Sequence, residues 1–197
     1  MGKCDKSKYP KILVISNNPF SQTSNNGKTL ASFFKEFPPE KVSQLYFSSE
    51  LPSEGFYQNY YRISDKQIFR SLYSFNKAGS VVAPQINSEI SEYKAPVVKH
   101  STTFIVKSNF FRLLRELMWK CTKWKSDHLV TWLTDFSPDI VFFCAGDAGF
   151  AYDIVSFVLD KTNAKLATYI TDDYILPRRT SSLLWWIRRN FIFRKMN

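Results

Sequence analysis

The chain has 197 residues, 44% of them hydrophobic and 22% charged. That is the size and composition of a globular domain, and it excludes a collagen-like or largely disordered chain. Lysine and arginine number 27 against 17 acids, a net charge of +10. No run of 18 apolar residues is present, and no apolar segment precedes the first predicted strand. A membrane-spanning helix and a secretory leader are therefore not expected. Lys6 stands where the N-myristoylation pattern needs Ser or Thr.

The first predicted element is the apolar run 11–16, bounded by Pro10 and Asn17-Asn18-Pro19, which reads as a buried strand. A turn-rich stretch leads to a helix over 27–37, with Asn25 or Asn26 as its cap and Pro38-Pro39 as its stop. Residues 42–47 and 59–63 are two further strands. Ser64 caps a helix of about 65–75. Residues 76–107 carry Gly79, Pro84, Pro96 and many serines without a clear period, and are expected to be irregular.

Residues 109–134 read as one long helix, on apolar steps of three and four through Phe110, Leu114, Leu117, Cys121, Trp124, His128 and Trp132. Ser137-Pro138 breaks it. Residues 139–144 form a strand and 150–161 a helix, with Ala151, Ile154, Val155, Val158 and Leu159 on its buried face. Residues 165–170 form another strand, and a last helix of about 180–196 is capped by Thr180 or Ser181. Strands alternating with helices predict an α/β fold: a parallel sheet with helices on both faces and right-handed crossovers. The expected strand order is 3-2-1-4-5. Ligands are then expected at the C-terminal strand ends, where the loops 17–27, 145–149 and 171–177 meet.

The charge is concentrated. Residues 107–126 hold Lys107, Arg112, Arg115, Lys120, Lys123 and Lys125 against one acid, Glu116. Residues 178–197 hold six arginines and lysines and no acid. Both segments read as amphipathic, so Arg112, Arg115, Lys120, Lys123, Trp124, Trp185, Trp186, Arg188 and Arg189 are candidates for an anionic membrane surface or a protein partner. The plainer alternative is a core helix with a solvated basic face. Nucleic acid is disfavoured, because no recognised nucleic-acid-binding motif is present.

Cys4, Cys121 and Cys144 are widely spaced, and His100 and His128 are the two histidines. This set offers no zinc site, and no metal is expected. Cys121 and Cys144 read as small apolar fillers and Cys4 as an exposed thiol. Gly27-Lys28-Thr29 looks like the end of a phosphate-binding loop, but Gln22 stands where the first glycine is needed, and the dinucleotide fingerprint also fails. What remains is Asn25, Asn26, Gly27 and Lys28 at a helix N-terminus, suited to an anion such as a sugar-nucleotide phosphate. The alternative is an Asn-capped turn. Asp172 and Asp173 follow the last strand; they suit sugar hydroxyls or a general base, or else are solvated or capping acids. Gly146 permits close approach of a ligand, and Asp147 either binds it or caps the next helix.

The stretches KILVISNNPFSQTSNNGKTLASFFKEF, FSPDIVFFCAGDAGFAYDIVSFV and AKLATYITDDYILPR resemble, in order, the N-terminal domain of bacterial family 4 glycosyltransferases of the GT-B fold. The resemblance covers roughly residues 10–75 and 135–195. It implies a Rossmann-like domain over 11–177, a short tail before it, and a basic aromatic helix over 178–197 leading to a second, absent domain. It further implies a mainly acceptor-binding half of a retaining hexosyltransferase. That enzyme would take a nucleotide-sugar donor as substrate and a glycan or lipid-linked acceptor, in bacterial surface polysaccharide or glycoconjugate synthesis, at the cytoplasmic side of the membrane. Gly27 matches the family's turn near the donor phosphates, with Asn26 replacing the usual first glycine. Asp172 or Asp173 stands where many relatives have a histidine that touches the transferred sugar. Gly146, Asp147 and Tyr174 fall on the acceptor side. A non-catalytic α/β module docking through its basic helices is the alternative reading.

Overall fold

The computed structural model describes residues 9–22, 25–84, 109–121, 123–170 and 183–196. It is an α/β fold with a six-stranded sheet: β1 (Ile12–Ser16), β2 (Val42–Tyr46), β3 (Asn59–Arg62), β4 (Ser80–Val82), β5 (Ile140–Ala145) and β6 (Lys165–Ile170). The order is β4-β3-β2-β1-β5-β6. All pairs are parallel except β3 with β4. The arrangement is Rossmann-like, and five of its strands stand in the order the sequence predicts. The short antiparallel strand β4 corrects the expectation of an irregular 76–107. Three residues at a sheet edge carry too little periodicity to be read from sequence.

Burial follows position in the sheet. Every residue of the central strands β1 and β2 is buried, as a sheet covered on both faces requires. The edge strand β6 has no buried residue. One face packs under α1 (Asn25–Phe33), through Val14, Leu30, Phe34, Tyr46 and Tyr60. No helix bridges β2 and β3; Phe56 and Tyr57 of that connection cover the same face instead. The other face packs under α2 (Asp65–Leu72), α3 (Asn109–Lys120), α4 (Asp127–Phe136) and α5 (Gly149–Lys161). The last helix, α6 (Leu183–Met196), rests on α3 and α5. The two coverings follow from right-handed crossovers that run leftward from β1 through α1 and rightward from β5 through α5.

Helix α2 is capped as expected. The Ser64 hydroxyl accepts the Gln67 N–H, and the Gln67 side chain accepts the Ser64 N–H. Three helix predictions need correction. Helix α1 begins at Asn25, so Asn25 and Asn26 lie within it, and it ends at Phe33, before the prolines. The expected long helix 109–134 is two helices. The chain turns at 121–126, where Trp124 buries its indole, its Nε1 donating to the Trp119 carbonyl at 3.2 Å, and Ser126 caps α4 through the Leu129 N–H. A stripe of period three to four continues across that turn, which is why the sequence hides it.

The third correction concerns direction. On α3 the apolar stripe of Phe110, Leu114 and Leu117 faces solvent, each residue more than half exposed, and Cys121 is exposed too. The inward side carries Arg112, Arg115, Glu116 and Trp119. Helix α5 keeps its predicted face, with Ala151, Ile154, Val155 and Val158 buried and Leu159 partly so. The expected caps Thr180 and Ser181, and Cys4, lie outside the described residues.

Candidate functional site at the C-terminal sheet edge

The strand order reverses between β1 and β5, because their connections leave in opposite directions. In open α/β sheets such a switch point leaves a crevice at the C-terminal strand ends. The loop after β1 forms one wall and is held by a single side chain. Gln44, fully buried in β2, accepts the Phe20 N–H at 2.9 Å and donates to the Ser16 hydroxyl at 2.8 Å and the Asn18 carbonyl at 3.1 Å. The Asn17 carbonyl in turn accepts the Phe47 and Ser48 N–H groups. A glutamine inside a fully buried strand was the signal for this role, and the sequence reading passed over it.

Gly27 lies in the first turn of α1, buried against this loop. A Cβ there would press into the Pro19 carbonyl oxygen and come within 2.9 Å of the Ser21 Cβ. Its lack of a side chain is thus used by the protein's own backbone. Lys28 is exposed and lines a cavity between α1 and residues 55–57, beside the loop and away from β5.

The opposite wall is the turn after β5. At Gly146, no described residue beyond its chain neighbours lies within 4 Å of where its Cβ would be. Asp147 is clamped. Its carboxylate pairs with Arg112 and with Arg188, whose Nη2 also donates to the Asp147 carbonyl at 2.7 Å. Next to it, the Glu116 carboxylate accepts the Gly149 N–H at 2.6 Å and the Phe150 N–H at 2.8 Å. These are the first N–H groups of α5, so its positive end is occupied by an internal carboxylate. Burial raises the Glu116 pKa above its usual 4.5, while the two N–H donors, Arg115 and Arg188 pull it back. Glu116 is the one acid of the first basic segment, a signal the sequence held.

The residues expected to face a membrane therefore divide. Arg112, Arg115 and Arg188 turn inward: Arg115 binds Asp65 at 2.8 Å and lies over the Phe150 ring, and Arg188 is buried. Trp124 is buried as well. Carboxylates and rings on the neighbouring elements offer these cations more than solvent does. Lys120 sits over the Phe191 ring, Lys123 and Trp185 are half-buried, and Trp186 is exposed with Arg189 over its ring. What replaces the basic face is the outward stripe of α3, flanked by exposed Phe69 and Tyr73 of α2 and Ile187 and Phe193 of α6.

Arg62 and Tyr46 also stand at this edge, paired across the ends of β3 and β2. Burial pushes the Tyr46 phenol up to about 12, with the adjacent Arg62 guanidinium pulling the other way. Arg62 donates from Nη1 to the Ser49 carbonyl at 3.2 Å, and its buried Nε has no hydrogen-bond partner among the described residues. An arginine ending the strand Asn59–Arg62 was visible in the sequence but passed over.

Asp172, Asp173 and Tyr174 lie outside the described residues. Among the described residues no group of three or more His, Cys, Asp or Glu side chains is arranged to hold a metal. No helix among them is long and apolar enough to cross a membrane. A cavity of about 630 Å³ lies at the opposite sheet edge near Asp139 and Lys165, away from these loops. No family model matches the chain, and neither a curated protein nor a solved structure matches it significantly.

Proposed function

We propose that this domain is the acceptor-binding half of a glycosyltransferase that moves a sugar from a nucleotide-sugar donor to a glycan or lipid-linked acceptor. The observation that supports the reading is the β1/β5 switch point, with a loop pinned by Gln44 on one side and, on the other, a Gly146 whose Cβ position no described residue approaches within 4 Å. Asp172 and Asp173 as sugar contacts or base follow from the resemblance; Gly27 packs against the protein's own loop and Lys28 lines a separate cavity, so neither is carried over to the donor side. A second GT-B domain would complete the cleft.

The test uses the natural gene product, assayed for nucleoside diphosphate release from uridine- and guanosine-diphosphate sugars in the presence of membrane lipid extract. Turnover is expected. Gly146→Phe is expected to abolish it while the protein stays folded, because a Cβ at this position meets no described residue within 4 Å. No release from any donor, or full activity in Gly146→Phe, overturns the reading.

A second reading, a non-catalytic module docking to an anionic membrane, is favoured by the outward apolar stripe of α3. Exposed Lys66, Arg70, Lys125 and Arg194 lie on or next to the helices that bear the exposed apolar residues. The chain is expected to sediment with phosphatidylglycerol vesicles and to be released by salt. The exposed triple variant Phe110→Ser/Leu114→Ser/Leu117→Ser is expected to lose that binding while staying folded. Equal sedimentation with phosphatidylcholine vesicles, or none with either, removes the membrane from the account. Docking without turnover favours the second reading over the first.

A further inference from the structure

The cavity that Lys28 lines is separate from the β1/β5 crevice. It measures about 510 Å³, within the range of small-molecule sites. Lys28, Ala31, Ser32 and Lys35 follow one another at steps of three, one and three, which puts them on one face of α1 and its C-terminal continuation. Facing them are Gly55, Phe56 and Tyr57 of the β2–β3 connection, with Phe37 and Pro39 at one end and Ser21 and Gln22 at the other.

The facing wall is built in advance. The Tyr57 hydroxyl donates to the Phe34 carbonyl at 2.7 Å, tying the connection to the helix. The Ser53 N–H donates to the Phe20 carbonyl at 3.1 Å, and Gln22 reaches the Ser53 hydroxyl and the Glu54 carbonyl, both at 3.4 Å. Gly55 makes the sharp turn between them at φ +87°, in the left-handed region that glycine adopts without strain.

The lining divides by chemistry. Ala31, Phe37, Pro39, Phe56 and Tyr57 give an apolar floor. Among the described residues the charged groups in the lining are Lys28 and Lys35, both exposed, and no carboxylate is among them; Glu36 and Glu54, adjacent in sequence, are not among its walls. Ser21, Gln22 and Ser32 add hydrogen-bonding groups. An apolar cavity whose charged groups are all cations suits a ligand with an apolar body and an acidic head.

We propose that the cavity between α1 and residues 55–57 is a binding site for a small molecule that joins an aromatic or branched apolar body to a phosphate or carboxylate. The apolar body packs on Phe37, Phe56 and Tyr57, and the acid pairs with Lys28 or Lys35 at the mouth. The site does not depend on the sugar-transfer reading.

The test is an NMR titration of the full chain with phenyl phosphate and, separately, benzoate. Saturable shifts are expected in the backbone amides of Ala31, Ser32, Gly55 and Phe56 for at least one of the two. The double variant Lys28→Glu/Lys35→Glu reverses charges on exposed positions, and is expected to bind at least tenfold more weakly with an unchanged spectrum elsewhere. Ser32→Trp, which fills the cavity from an exposed position, is expected to abolish binding. Three results overturn the proposal: no saturable shift with either probe, equal affinity in the charge-reversed variant, or inorganic phosphate alone binding as tightly as phenyl phosphate.

Discussion

Replacing Gly27 with alanine is expected to destabilise the protein by about 3 kcal/mol, the upper part of the range for overpacking at a site that cannot relax. The new methyl would press into the Pro19 carbonyl, a backbone atom with no rotamer to escape into, and into the Ser21 Cβ. The loop holding Pro19 has no slack, because Gln44 fixes it at Ser16, Asn18 and Phe20. Urea unfolding of Gly27→Ala beside Gly146→Ala checks this. Gly146→Ala is expected to unfold like the wild type, since its Cβ meets no described residue within 4 Å. A Gly27→Ala midpoint equal to the wild type's would mean that the loop is not packed on the helix, and the glycine would return to being a candidate for ligand approach.

Glu116→Ala is expected to cost about 3 kcal/mol at neutral pH, for a different reason. It leaves the Gly149 and Phe150 N–H groups without their acceptor inside the protein, and a buried unsatisfied donor costs about 1–3 kcal/mol. Glu116→Gln keeps one acceptor oxygen and is expected to cost less. The carboxyl also makes stability depend on pH. Burial raises its folded pKa above 4.5, so the folded state holds a proton that the unfolded chain has released. The resulting contribution is complete below pH 4.5 and is lost as pH rises through the folded value. Urea unfolding between pH 4 and 8 is therefore expected to show a downward component in the wild type that is missing from Glu116→Gln. Identical slopes in the two proteins would show that Glu116 does not titrate in this way.

Both predictions concern places where the fold and the candidate site meet, and the sequence revealed them unequally. Gly27 stood out as a glycine at a helix start, but its neighbour across the loop is a carbonyl eight residues earlier, and no local pattern carries that contact. Glu116 stood out as a lone acid among cations. That it reaches the first N–H groups of α5 depends on how α3 lies across α5, a distance of 33 residues in the chain. The Asp147 clamp is similar: Arg112 and Arg188 come from opposite sides of it in sequence and meet it from two helices.

The strands were legible because burial on both faces demands apolar runs, as in 11–16 and 139–144, and 42–47 keeps enough of one around Ser43 and Gln44 to be read the same way. Their order followed from handedness once the helices between them were placed. The face of α3 was legible as a stripe but not as a direction. Periodicity says that two sides of a helix differ; it does not say which side the rest of the protein wants. Here Asp65, Asp147 and the start of α5 draw Arg115, Arg112 and Glu116 inward, and Trp119 donates to Asp65 at 2.7 Å while stacking on Phe150. The phenylalanines and leucines of the stripe are left outside.

By itself, then, the sequence determined the α/β class, the parallel order of five strands, the Ser64 cap and the sheet edge at which the loops after β1 and β5 stand. Each of these is fixed by local periodicity or by chirality, both of which act along the chain. The tertiary structure alone decided the turn at Trp124, the outward face of α3, the internal carboxylate at the start of α5, and the cavity beside Lys28. Each of these depends on charges and volumes brought together from distant segments, where pairing a buried ion or N–H outweighs the burial of a few apolar side chains.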